Sequence, residues 1–192
     1  MRPIIITLLV MLSVVPSFAE GTDLDRLKEG DIIFVFSKSK QSPFIAYATG
    51  SLYTHCGIFV MKDGEKYVLE ASDCVKLTPF DKFIEKARSI PHWTNVRITR
   101  DSIKIDYKKY LGKKYDLQFD FNNDKIYCSE LVYLIYKEQF NIELCKPKQM
   151  KEYRTFGLDF LLKKRNMSLD SYVVAPSDLL YTKHQIYAPS LF

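Results

Sequence analysis

Among the side chains of this sequence, four cysteines (Cys56, Cys74, Cys128, Cys145) and three histidines (His55, His92, His184) could supply thiol–imidazole chemistry. A thiol attacks carbonyl carbon only as the thiolate, so the useful cysteine is one with a base beside it and a group that holds the base. Cys128 stands near the front of "IYCSELVYLIYKE", Ile126 to Glu138, where the apolar spacing predicts a helix carrying Cys128, Leu131, Val132, Ile135 and Gln139 on one face. The sulfur then points toward the core in the first turn. Unpaired backbone N–H groups and the positive end of the helix dipole favour the thiolate there. Free cysteines also serve as small buried hydrophobes, so the helix alone assigns no chemistry.

The base comes from "THCGIFVMKDGEKYVLEAS", two apolar runs joined at Asp63-Gly64, the residue pair of a two-residue hairpin turn. With those two residues as the loop, Lys62 faces Glu65, and every opposed pair of residue numbers sums to 127. Gly57 then faces Glu70 and His55 faces Ser72. Side chains alternate, which puts His55, Gly57, Phe59, Val68, Glu70 and Ser72 on one face. Glu70 is diagonal to His55, at roughly 7–8 Å between backbone positions, within reach of a carboxylate and an imidazole. Gly57 leaves room for the contact, and Cys56 falls on the opposite face. This is the arrangement a thiol-protease-type site requires: an imidazole to hold the sulfur's proton and a polar group to fix the ring. The same pair could also be a half-buried histidine bonded to glutamate for stability alone.

The remaining candidates lack such partners. His92 is expected in the loop "SIPHWTN", His184 has no acidic or thiol neighbour close in sequence, and Cys74 and Cys145 lie in loop-like stretches. With no C-x-x-C pair and scattered histidines, no metal site and no cofactor are expected.

The elements that must position these groups can be read in order. "DIIFVF" is a strand, Ile32 to Phe36, after a turn at Glu29-Gly30-Asp31. "QSPFIAYATG" reads as a short helix with Ser42 as cap, Pro43 first and Gly50 past the end. "TPFDKFIEKARS" is expected to be helical with Thr78 as cap, "NVRITR" a strand, "DSIKIDYKKYLG" a helix closed by Gly112, and "SYVVAP" a strand. Grouped strands with helices that do not strictly alternate predict an α+β fold with an antiparallel sheet or partial barrel packed against helices.

The first nineteen residues, "MRPIIITLLVMLSVVPSFA", have the cation, apolar run and small-residue end of a secretory leader. The apolar run, roughly 12 residues, is short of the ~20 that span a bilayer. Residues 20–192 are then expected to be one domain that is exported, periplasmic or secreted, with no stable membrane span. It would carry 27 basic against 23 acidic side chains, a net +4 with no basic arm, so no nucleic-acid partner is expected. An oxidising compartment would permit a disulfide, with Cys56 and Cys74 the closest pair in sequence.

The motifs "LKEGDIIF", "LYTHCGIFV", "YVLEAS", "GKKYDLQF", "IYCSELVYLIY" and "APSDL", in that order from about Leu27 to Leu180, resemble the YiiX-like permuted papain-like amidases. These are relatives of the NlpC-type cell-wall peptidases and of the lecithin:retinol acyltransferase group. The resemblance implies a circularly permuted papain-like fold, in which the histidine strand precedes the cysteine helix. It implies Cys128 as nucleophile, His55 as general base and then acid, and Glu70 as the orienting third group, without a cofactor. Tyr115 in "GKKYD" resembles a tyrosine that helps bind substrate or the oxyanion, and Gly30 and Asp31 match a structural turn. Cys56 after His55 departs from the family, which has a plain apolar residue there. Implied substrates are amide bonds in cell-wall peptides, such as peptidoglycan fragments, or in amino-acid-containing compounds. The acyltransferase relatives suggest lipid acyl groups instead, and an exported binding protein without turnover is a third alternative.

Overall fold

The computed structural model describes residues 23–87 and 93–186. The expected leader and His92 lie outside them. A five-stranded sheet in the order β4-β3-β2-β1-β5 organises the chain, formed by β1 (Ile32–Val35), β2 (His55–Lys62), β3 (Glu65–Ala71), β4 (Val75–Pro79) and β5 (Trp93–Val96). All its pairings are antiparallel. Asp63 and Gly64 both take positive φ, 52° and 81°, the turn whose twist matches that of paired strands. The register follows from it: Ile58 opposes Leu69, Phe59 opposes Val68 and Lys62 opposes Glu65.

Strand alternation sends two sets of apolar side chains to opposite faces. Ile32, Phe34, Cys56, Ile58 and Leu69 pack toward the helix α3 (Cys128–Phe140), meeting Leu131, Val132 and Ile135. Ile33, Val35, Phe59 and Val68 pack on the other face against Phe80 and Phe83 of α2 (Phe80–Ile84). Each such fully buried side chain contributes roughly 1.5–3 kcal/mol. The helix bearing Cys128 is tied at both ends. The Ser129 hydroxyl donates to the Val174 carbonyl at 2.7 Å, and the Tyr136 hydroxyl donates to the Gly30 carbonyl.

The other elements frame one end of this core. Helix α1 (Ser42–Thr49) ends at Gly50, φ 65°, as expected. Beyond α3 come a two-stranded ribbon of β6 (Lys148–Gln149) and β7 (Tyr172–Val173), with α4 (Asp159–Lys164) between them and α5 (Pro176–Leu180) after.

Several local expectations are corrected. Gln41, not Ser42, precedes the first turn of α1; the Ser42 hydroxyl is buried and bonds those of Ser39 and Thr54. Thr78 is a strand residue of β4 and not a helix cap, because the edge of β3 offers it a ladder and Glu70 an acceptor. The strand expected from Asn95 to Arg100 runs instead from Trp93 to Val96, followed by Arg97, whose guanidinium grips the buried carboxylate of Asp31. Residues 101–112 form turns and extended chain, not a helix. There the Gln139 side chain bonds both the N–H and the carbonyl of Asp106, and Ile103 donates to Glu29, so tertiary bonds replace the helical ladder. Gly57 leaves no open space. A Cβ there would meet Val68 at 2.5 Å and the Leu69 carbonyl at 2.6 Å, so glycine is what lets the strands close. None of the four cysteines is in a disulfide: Cys56 is in the core and Cys74 bridges to Lys114.

Candidate active site

His55 opens β2, opposite Val35, and its ring lies 5.5 Å from that of Phe83. Its Nε2 is 2.6 Å from Glu70 Oε2, the contact the hairpin register predicts. The second carboxylate oxygen of Glu70 accepts from the Thr78 hydroxyl and the Lys86 ammonium, so a fully buried carboxylate is ringed by donors. Burial alone would push Glu70 up; the bond and charge of His55, with Lys86, outweigh it and bring it down to about 2. Because Glu70 occupies Nε2, the nitrogen left for sulfur is Nδ1.

Cys128 begins α3 and is 2% exposed. Its thiol is held low by Cys56 and by His55. Hydrogen bonding from Cys56 is the largest influence and lowers the Cys128 thiol; burial opposes it, and the charge of His55 adds to the lowering, leaving Cys128 well below the ordinary thiol range. The imidazole answers in kind. Burial would pull it down, but the Cys128 thiolate, and then Glu70, raise it to about 9. Both shifts favour a thiolate–imidazolium pair over the neutral thiol and ring. Burial, with the adjacent charge of Cys128, drives Cys56 well up.

Tyr115 also belongs to this group. Its hydroxyl accepts from Gln41 Nε2 at 3.0 Å, and burial together with the Cys128 charge raises it well above the usual phenol range. Gln41 in turn accepts from Arg165 at 3.3 Å. Behind the helix start, Glu130 takes the Tyr127 N–H at 3.1 Å. Burial first, with Asp116 adding to it, pushes Glu130 up to about 8 despite that bond.

Two cavities meet at this point and differ in kind. An apolar pocket with about 720 Å³ of empty space, open mouth included, starts at Cys128 and Ser129 and runs between α1 and α4, past Ile45, Ala48, Leu161 and Leu162. A polar cleft with about 1120 Å³ of empty space, open mouth included, lies on the other side, along His55, Ser72, Asp73, Lys76, Lys86 and Tyr115. Gln41 lines both.

Cys128, His55, Glu70 and Tyr115 are therefore brought together, whereas His184, whose backbone N–H donates to the Thr182 hydroxyl, and Cys145, raised by burial to about 12, are not part of the group. Sequence reasoning missed Thr78, Lys86, Gln41 and Arg165. Reading "VKLTP" as a strand would have found Thr78, since Glu70 opposes Lys76 and Thr78 lies two residues on. Gln41 and Arg165 are separated by 124 residues, and no local pattern joins them.

Known proteins resemble the chain along most of its length. The Escherichia coli K12 protein YiiX, itself uncharacterized, is 33% identical over 191 residues, covering 91% of this chain and 88% of that protein. The crystal structure of a protein described as metalloprotein yiiX, from Escherichia coli O157:H7, superposes with a TM-score of 0.76 at 30% identity, covering 84% of this chain and 95% of that one. Residues 26–186 match the family described as permuted papain-like amidase enzyme, YaeF/YiiX, C92, and with the histidine strand ahead of the cysteine helix the chain belongs to that permuted papain-like family.

Proposed function

We propose that the chain is a cysteine amidase whose acyl group is an aliphatic chain. The observation that carries this is the apolar pocket opening directly beside Cys128. The thiolate attacks the carbonyl carbon while the His55 imidazolium hands its proton to the departing amine; water or an acceptor amine then resolves the thioester, with His55 taking the proton back. Glu70 holds the ring through Nε2 and stabilises its cationic form. The oxyanion lies against the Cys128 backbone N–H at the start of α3, with the Tyr115 hydroxyl and the Gln41 amide as nearby side-chain donors. The acyl chain occupies the apolar side and the amine the lysine-lined cleft.

The YiiX neighbour is described as a metalloprotein. Here, among the described residues, no group of three or more His, Cys, Asp or Glu side chains could hold a metal ion. One His55 nitrogen and both Glu70 oxygens are also already bonded. The described residues do not fit a metal centre, and no step passes through one. Peptide fragments of the cell wall are the second reading, supported by the polar cleft and by the leader-like first nineteen residues, which suit a protein that works in the periplasm or outside the cell.

The purified protein is incubated with a long-chain N-acyl amino acid, its acetyl counterpart and peptidoglycan fragments, and released amine is measured. Turnover of the long-chain substrate is expected, abolished in Cys128→Ala. Cleavage of peptidoglycan fragments alone would replace this reading with the second, and no turnover of any of the three would leave a binding protein.

A further inference from the structure

Around the mouth of the apolar pocket the surface is unusual. Phe156 is 91% and Phe160 79% exposed, among the most exposed large hydrophobics of the described residues. They are four residues apart across the turn at Gly157, where φ is 78°. The Tyr47 hydroxyl donates to the Phe156 carbonyl at 3.1 Å, so the Phe156 backbone lies against the outer side of α1, where Phe44 (41%) and Tyr47 (45%) are also exposed. The same short helix that raises Phe160 outward sends Leu161 and Leu162 inward to line the pocket. A monomer has no use for aromatic rings held in water at the entrance of an apolar cavity; such patches mark a surface that is covered in use.

Charge says by what. From Lys151 to Arg165 the chain carries five cations against two carboxylates. Lys163 and Lys164 end α4 beside the rings, and the Lys164 ammonium sits 5.9 Å over Phe160. Apolar rings ringed by cations suit the boundary between anionic headgroups and acyl chains, where the rings enter and the lysines stay at headgroup level. No helix among the described residues is long and apolar enough to cross a membrane.

We propose that the lip formed by α1 and the Phe156–Lys164 segment docks on an anionic phospholipid bilayer and that the pocket draws its acyl chain from there. This rests on the reading of the pocket as an acyl seat. Binding and hydrolysis are separable, because the lip residues lie outside the Cys128 group.

The test is co-sedimentation of the purified protein with phosphatidylcholine vesicles in which a third of the lipid is phosphatidylglycerol. Binding is expected, falling on the order of tenfold in Phe156→Ser/Phe160→Ser, and weakening with added salt and in Lys163→Gln/Lys164→Gln. Both phenylalanines are exposed, so the thermal midpoint of the double serine variant should match that of the parent. Cys128→Ala should bind like the parent, so a failed hydrolase reading leaves this result legible. Absence of binding, or binding undiminished in the serine variant, would overturn the proposal. So would a dimer abolished by the same serine substitutions in a protein that ignores vesicles, since it would assign the patch to a second copy.

Discussion

The two sides of Cys128 are built by different means. The polar side comes from neighbours in the chain: His55 and Glu70 are fifteen residues apart on one hairpin, and Thr78 and Lys86 follow on the next strand and turn. The apolar side is assembled from α1 and, more than a hundred residues further along, α4 and the segment around Val173 to Pro176. A reaction needs its proton relay at fixed geometry, and a short hairpin provides that rigidly. A pocket for a flexible chain needs only volume and apolar walls, which loosely connected short elements can supply and readily vary.

The largest effect should come from breaking the polar side. At pH 6 an ordinary thiol near pKa 8.5 is only a fraction of a per cent thiolate, whereas the proposed pairing with protonated His55 would leave Cys128 ionised. His55→Ala should therefore slow alkylation of Cys128 by iodoacetamide at pH 6 by roughly 10²-fold. Equal rates in parent and variant would mean that the imidazole does not make the thiolate. The activity profile should also close on the alkaline side near pH 9, where His55 loses the proton destined for the leaving group.

A smaller effect should follow from filling the apolar side. Ala48 lines the pocket from α1 and its side chain is a single methyl, so Ala48→Trp occupies the lumen without touching the His55–Glu70 contact. Activity on long acyl chains should drop about 10- to 100-fold while activity on an acetyl substrate and alkylation of Cys128 hold. If both substrates suffer alike, the pocket is not where chain length is read.

The contrast between these sides also explains what was legible in the sequence. A DG turn and period-two alternation determine a hairpin register from local signals, which is why the His55–Glu70 contact could be placed before any coordinates. Thr78 was misread because Thr-Pro ahead of an acidic first turn imitates a helix start, while pairing with β3 decides the matter. The stretch 101–112 was misread because helix spacing said nothing of Gln139 reaching across to Asp106. Walls such as Leu161 and Ile45 have no shared period or motif, and only the folded chain brings them to Cys128.

The smallest and sharpest probe uses two glutamates as reporters of environment. Glu70, surrounded by cations and donors, is lowered to about 2, so its stabilising contribution is complete above the ordinary glutamate pKa, near 4.3, and is lost as pH falls toward 2. Glu130 is raised to about 8 by burial, so its effect has the opposite sign. Here the folded state favours the proton, stability is greatest below about pH 4.3, and it declines as pH rises toward 8. Glu130→Gln keeps an acceptor for the Tyr127 N–H but has no charge to bury. Urea midpoints should thus show the variant gaining on the parent between pH 5 and 8, by about 1–2 kcal/mol once relaxation around a partly solvated carboxylate is allowed for. Glu70→Gln should instead lose stability at neutral pH, with the deficit shrinking in acid. If Glu130→Gln tracked the parent at every pH, the carboxyl behind the Cys128 helix would be ionised at neutrality, and the helix start would carry a negative charge that opposes a Cys128 thiolate.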